Sequence, residues 1–447
     1  MHQTKKISAQ EQEKDRNDIK KRDQEVDDVF VIASLLNVSN KEFLTADSGF
    51  ITQNLFGQEL VRRGHDFVLI GPFKRSISFP TWYLDFGDTK YAVRFGFDYL
   101  RFRKIIREIL DKYKALDWVW VNQPEIAVNV RMVLDELGLH DTRILVYVHY
   151  LPVLEYSDRD WSKDPSLDDG GMVQTIMRHI AEGCTIADAV GIHAGFGKDL
   201  LCNVSEWIGM HIGAHKVHVI PTATDPYLIA PASEIEARIK DKASRKVNGM
   251  LYFGYANRLY THYGTEEMFD YFGQACNRFN ARVWVTNPTG NRSRARRSLD
   301  LASQSTEQRV LAQENVISFG KVLPRDEYKD WLSRSDFVFG PNRKAALWSL
   351  SLIDGMGMGV PSLAPNAGAF SEMLPVPCLW NDLDDLDCKI KALIEDEDLY
   401  FNIASECHRR AIQFLPVNQV TSLERILKEV NNEYASKDIS RGAVVVP

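Results

Sequence analysis

From Val29 onward the chain alternates between short, wholly apolar runs and longer stretches in which apolar residues recur every three or four positions. The short runs predict strands buried on both faces, and the long stretches predict amphipathic helices. VFVIASLL opens the series. ITQNLFGQELVRRG follows, with Ile51, Leu55, Leu60 and Val61 at helical spacing and Gly64 as its stop, and HDFVLIGP is the next apolar run. Strand, glycine-containing loop, helix and strand make a βαβ unit. The alternation continues through RFRKIIREILDKYKAL, DWVWVNQP, IAVNVRMVLDELG, TRILVYVHYLP, GMVQTIMRHIAEGCTIA, DAVGIHA, FGKDLLCNVSEWIG and KVHVIPTATDP. The polar segment SEIEARIKDKASRKVNG interrupts it. The pattern then restarts at MLYFGYAN and runs to VPSLAP and CLWND, before two closing helices.

Two such series predict an α/β protein with two Rossmann-like, doubly wound domains facing across a cleft. The expected division is a charged, disordered leader at 1–27, an N-terminal domain at 28–230 and a linker at 231–248. A C-terminal domain at 249–415 follows, then a helix at 416–437 that packs back on the N-terminal domain, and a tail at 438–447. Ligands bind at the carboxyl edges of open parallel sheets, so the chemistry is expected in the cleft.

At 447 residues the chain exceeds one hydrophobic core, which agrees with two domains. The net charge of −7 argues against a surface basic all over, though not against a local basic groove. The six cysteines form no CxxC pair, so reduced, buried thiols are expected rather than a disulfide framework. The first residues lack the apolar core of a signal peptide. The longest apolar stretch, Ile144 to Leu154, falls short of the ~20 residues of a membrane span. A cytoplasmic protein is the expectation.

The strongest constellation follows the apolar run DFVFGP. A helix starting near Leu350 would present free amides and the positive end of its dipole to the cleft, a site for a diphosphate. Asp354, one turn on, is placed to hold a ribose diol. Arg258, after the first strand of the second series, can clamp the same diphosphate or form a surface ion pair. In the first series Gly49 opens a helix toward the cleft, and His149 ends the strand LVYVH. His149 reads equally as a sugar-binding or proton-transferring group and as a structural histidine.

At these residues the chain resembles retaining glycosyltransferases of the GT-B fold, the large family-4 group. The resembling pieces are VHY at His149, ADAVGIHAGFGKDLL, VIPTATDP with Asp225, FGYANRL with Arg258, FGKVLPRDEYKDWLSRSDFVFGP and IDGMGMGVPSLA. The resemblance implies transfer of a sugar from a UDP- or GDP-sugar to an acceptor hydroxyl with retention, and no required cofactor or metal. It implies catalytic roles for His149 and Arg258. Gly49, Lys321, Val322, Ser349, Leu350, Ser351 and Asp354 would bind the donor, with Lys321 and Val322 beside the nucleobase.

Two departures bear on function. In the family's E-x7-E motif the carboxylates fall here on Ala346 and Asp354, so the first is lost. The family's diphosphate lysine falls on Tyr263, and Lys344, Arg343 or His262 would have to replace it. A protein that kept the fold and lost the chemistry is therefore a third class of reading. The acceptor is open. Arg292, Arg294, Arg296 and Arg297 form a basic loop that suits a solvated surface or a phosphate backbone. Basic residues around Phe102 add a second such patch. These keep a DNA-modifying glycosyltransferase of phage type as the alternative. His211, His215 and His218 straddle a helix-to-strand junction, and no metal site is expected from them.

Overall fold

A computed structural model describes residues 29–38, 44, 47–73, 78–87, 91–157, 160–164, 171–245, 249–286, 301–319 and 323–442. The charged leader, the arginine loop with Arg292, Arg294, Arg296 and Arg297, and the Lys321–Val322 pair lie outside the described residues.

The first half contributes β1 (Val31–Leu35), β2 (Asp66–Gly71), β3 (Thr81–Tyr83), β4 (Trp118–Val121), β5 (Arg143–Val148), β8 (Ala189–Ile192) and β9 (Val217–Val219). They form one sheet in the order β3-β2-β1-β4-β5-β8-β9, every pairing parallel. The apolar runs sit at its centre, with β1 and β4 buried throughout. Helices α1 (Ser48–Arg62), α2 (Tyr99–Tyr113), α3 (Ala127–Glu136), α4 (Met172–Ile186) and α5 (Gly195–Trp207) connect the strands. Between β5 and α4 lies an antiparallel hairpin, β6 (Val153–Ser157) and β7 (Asp160–Lys163), which the sequence reading did not anticipate.

The second half forms a parallel sheet in the order β12-β11-β10-β13-β14-β15. Its strands are β10 (Leu251–Tyr255), β11 (Ala281–Val285), β12 (Val316–Ser318), β13 (Phe337–Phe339), β14 (Ser362–Pro365) and β15 (Leu379–Trp380). The segment read as a linker is largely a helix, α6 (Ala232–Arg245), whose Ile239 and Ala243 join the core of the second lobe. Its Lys242 is also buried there and donates to the Ser335 carbonyl. Helices α7 (Thr265–Phe279), α8 (Leu301–Leu311), α9 (Arg325–Arg334) and α10 (Leu350–Gly357) follow, then α11 (Leu383–Glu395) and α12 (Glu397–Gln413).

The last helix, α13 (Pro416–Gly442), returns to the first lobe. Val420, Leu423, Ile426 and Leu427 bury themselves beside Phe56, Trp118 and Trp120. Glu424 fixes the approach by pairing with Arg63 at 2.6 Å and with His65 at 2.9 Å, the two basic residues that end α1 and lead into β2.

The lobes are in contact through the loop between β13 and α10. Ala345 and Leu347 belong to the apolar core of the first lobe, whereas Ala346 between them belongs to that of the second. Alternate side chains of one short stretch thus seat in both lobes. Near it, Glu372 of the second lobe accepts hydrogen bonds from the amides of Gly195 and Phe196 at 2.8 and 2.7 Å. These amides open α5, where the helix dipole favours a carboxylate.

Candidate functional site

The carboxyl edges of both sheets carry the polar residues. In the first lobe a buried network joins the ends of β1, β4 and β5. Asn122, just past β4, donates to Ser34 Oγ and to the Leu35 carbonyl, both at 3.1 Å. Its Oδ1 accepts from Gln53 Nε2 at 2.8 Å and lies 2.9 Å from His149 Nε2. His149 is therefore held in place at the strand end, as its position in LVYVH suggested. Burial pushes its pKa down to about 4, opposed only by the carboxylate of Asp47. Asp47 is the N-cap of α1 and accepts from Phe50 N at 3.1 Å. Gly49 lies in the first turn of that helix, so it shares one end of the lobe with His149.

A second histidine completes the edge. His193, just past β8, has Nδ1 2.7 Å from Thr222 Oγ1 and 3.1 Å from Tyr147 Oη. Burial drives its pKa well below the usual histidine value, so both rings are neutral at neutral pH. Neutral imidazoles act as hydrogen-bond partners rather than as cations. His193 ends the run DAVGIHA as His149 ends LVYVH, a signal that was open to the sequence reading.

In the second lobe α10 starts at Leu350, with Ser349 as its N-cap. Ser351 Oγ lies 3.0 Å from Ser349 Oγ and donates to Asn257 Oδ1 at 2.9 Å. Asn257 also donates to the Phe339 carbonyl at 2.7 Å, which ties the ends of β10 and β13 to the start of α10. Arg258 is the next residue. It is half-buried, and its only polar contact among the described residues is a long one, 3.4 Å, to Tyr260 Oη. Among the described residues this guanidinium has no carboxylate partner, and it follows directly on the residue bonded to α10's first turn.

Asp354 lies in the second turn of α10 and is 7% exposed. Burial raises its pKa to about 6, while Arg325 and the Tyr328 hydroxyl, 3.2 Å from Oδ2, oppose the shift. Arg325 in turn holds Asp225 at 2.8 Å. Arg325 and Tyr328 stand one helical turn apart at the start of α9, and the sequence reading had assigned them no role.

The two departures from the family pattern have structural settings. Ala346 is 5% exposed, and its carbonyl accepts from Ala369 N at 2.9 Å. Gly368 packs so tightly here that a Cβ on it would stand 2.6 Å from the Ala346 carbonyl oxygen. The Ala346 methyl lies in the apolar core of the second lobe, a poor place for a carboxylate. Tyr263 lies in a tight turn whose ring faces Arg343 at 5.7 Å. Of the cations that might replace the missing lysine, Lys344 turns outward to Glu155 at 2.8 Å. Arg343 and His262 turn inward.

Phe102 is fully buried in the first-lobe core, so the basic patch around it loses its aromatic member. Its neighbour Arg103 faces Glu136 at 3.7 Å instead. His211 pairs with Glu206 at the surface, and among the described residues no three histidine, cysteine or acidic side chains are grouped as metal ligands. No described helix is long and apolar enough to cross a membrane.

No protein-family model matches the chain, and no curated protein sequence does. Solved structures do. Sucrose-phosphate synthase from Thermosynechococcus elongatus superposes with a TM-score of 0.61 at 15% identity, over 92% of this chain and all (100%) of that one. The chain has the GT-B fold. The catalytic domain of starch synthase IV from Arabidopsis thaliana, bound to ADP and acarbose, gives a TM-score of 0.61 at 13% identity, over 90% of this chain and 99% of that one. The Anabaena protein HepE in complex with UDP-glucose gives 0.59 at 13% identity, over 91% and 99%.

Proposed function

We propose that the protein is a glycosyltransferase that moves a sugar from a nucleoside-diphosphate sugar to an acceptor hydroxyl. One observation carries the reading. Among the described residues Arg258 has no carboxylate partner, and it directly follows Asn257, which is bonded to Ser351 in the first turn of α10. A partly desolvated cation next to a helix N-terminus favours an anion with two or more charges, and a diphosphate supplies them. The solved GT-B structures bound to ADP and UDP-glucose support the same donor class.

In this reading the amides at Ser349, Leu350 and Ser351 and the Arg258 guanidinium stabilise the leaving diphosphate as charge develops on it. Asp354 receives the ribose hydroxyls through Oδ1, which has no partner among the described residues. Neutral His149 and His193 form the sugar-facing wall of the first lobe, where they donate or accept hydrogen bonds without adding charge. Gly49 allows the chain at the start of α1 to approach the sugar. Retention of anomeric configuration rests on the family-4 resemblance. The arginine loop lies outside the described residues, so the acceptor is proposed only as a hydroxyl.

The test is calorimetric titration with UDP, GDP and ADP and their glucose conjugates. At least one is expected to bind, and Arg258→Ala is expected to weaken it by tenfold or more, about 1.4 kcal/mol or above. Binding of none of the six would overturn the reading. Product anomers identified by proton NMR decide retention.

A further inference from the structure

Two of the six cysteines meet in the core of the second lobe. Cys378 ends a tight turn, Val376–Cys378, that leads into β15. Cys407 lies in the second half of α12. Both residues are fully buried, and their Sγ atoms stand 3.7 Å apart although the two positions are 29 apart along the chain. A side-chain rotation and a small shift of one backbone bring such a pair to bonding distance. The turn is the element that can give. Val376 at its start is 76% exposed, whereas α12 is anchored in the core by Tyr400, Ala404 and Ala411. While the turn stays closed the pair is unreactive. Its contact with Cys407 and then burial push the Cys378 thiol well above its usual pKa, so the nucleophilic thiolate is scarce until the turn opens.

The pair lies between two supports of α10. Cys378 takes a backbone hydrogen bond from Ser362 in β14, and Ser362 Oγ donates to the Leu352 carbonyl of α10 at 2.9 Å. On the other side His408, the neighbour of Cys407, has Nε2 3.0 Å from the Ala230 carbonyl. Ala230 N in turn donates at 2.8 Å to the carbonyl of Gly357, the last residue of α10. One cysteine thus belongs to each support.

We propose that Cys378 and Cys407 are a redox pair that forms an intrachain disulfide, with a low-molecular-weight disulfide such as glutathione disulfide as the oxidant. The Cys378 thiolate, reached as the turn opens, attacks one sulfur of the oxidant, whose S–S bond breaks to release one glutathione. The Cys407 thiolate then attacks Cys378 Sγ and expels the second glutathione. Two protein thiols are oxidised, one glutathione disulfide is reduced to two thiols, and the two protons pass to the glutathiones. The new bond closes a loop in the unfolded chain and ties the two supports of α10 to each other. This holds whatever ligand α10 binds.

The test is oxidation of the whole chain with glutathione disulfide, alkylation of the remaining thiols and mass spectrometry of the proteolytic peptides. A peptide containing Cys378 linked to one containing Cys407 is expected. Exposed Cys388 is expected to carry glutathione, and so reports that the oxidant has acted. The oxidised chain is expected to melt about 5 °C or more above the reduced chain. Dithiothreitol reverses that gain, Cys378→Ala and Cys407→Ala lack it, and Cys388→Ser keeps it. Hydrogen exchange of the α10 amides is expected to slow on oxidation. Glutathionylated Cys388 without the Cys378–Cys407 peptide overturns the inference, and the peptide map of the unaltered chain decides this even where an alanine variant fails to fold. A linked pair with unchanged exchange in α10 overturns the tie between its supports.

Discussion

Trp348 stacks on His193 across the junction of the lobes, with ring centroids 5.8 Å apart and planes 16° from parallel. Trp348 immediately precedes Ser349, the N-cap of α10, and His193 ends β8. The start of the proposed diphosphate-binding helix is thus located by a ring of the opposite lobe. Phe414 packs edge-on against Trp348 at 5.1 Å, which further restrains the indole.

Replacing His193 with alanine removes this stack and the hydrogen bonds to Thr222 and Tyr147. Stability should fall by about 1–3 kcal/mol, the combined scale of an aromatic pair and a buried polar group left alone. Nucleotide affinity should fall as well, because α10 loses its positioning contact. Urea unfolding and calorimetry on the same preparation check both. A stability loss with unchanged nucleotide affinity would show that the stack does not position the helix.

Asp354 is expected to oppose folding at neutral pH. Its pKa rises from 3.8 to about 6 on burial, so the folded state binds a proton more readily than the unfolded chain. The ionised group then costs about 3 kcal/mol at pH 7.5, a cost that fades as pH falls through 6 and is absent near pH 4. Asp354→Asn should therefore stabilise the protein at pH 7.5, do little at pH 4 and weaken nucleotide binding. Unfolding curves at the two pH values, giving equal effects, would contradict this.

His149 has the opposite linkage. Its pKa falls from 6.5 to about 4, so the unfolded chain takes up the proton first as pH drops. The stability of the neutral, buried ring is complete above about 6.5 and is lost progressively down to 4, by roughly 2–3 kcal/mol between pH 7 and 4.5. His193, shifted the same way by burial, adds to the acid sensitivity. His149→Gln should flatten the pH dependence of stability in this window, as read from urea midpoints. An unchanged slope would place the acid sensitivity elsewhere.

Ala346→Glu restores the family's first carboxylate in sequence but not in space. The side chain would enter the apolar core of the second lobe, at a position 5% exposed. Overpacking and a buried unpaired charge together should cost at least about 3 kcal/mol. Loss of stability without gain of transfer activity is expected. A variant as stable as the parent and more active would show that the loop rearranges to admit the glutamate.

The alternation of apolar runs with amphipathic stretches was enough to place both parallel sheets, because a strand covered by helices on both faces must be apolar throughout, and that leaves a local trace. The helix start at Leu350 and the strand-end position of His149 were legible for the same reason. The hairpin β6–β7 was not, since VLEYSDRDWSK mixes charged and aromatic residues without a long apolar run, and its antiparallel pairing leaves no trace in periodicity. Asp164 gave no local signal either: its Oδ2 lies 3.8 Å from both Arg343 and His262, which stand far along the chain. Arg325 and Tyr328 read as an ordinary polar helix start until Asp354 came to lie beside them. Local periodicity dictates which elements form, because each element answers to its own hydrogen bonds and its own apolar face. Which charges meet across two lobes depends on how those elements pack, and only the folded chain brings Asp164 to Arg343.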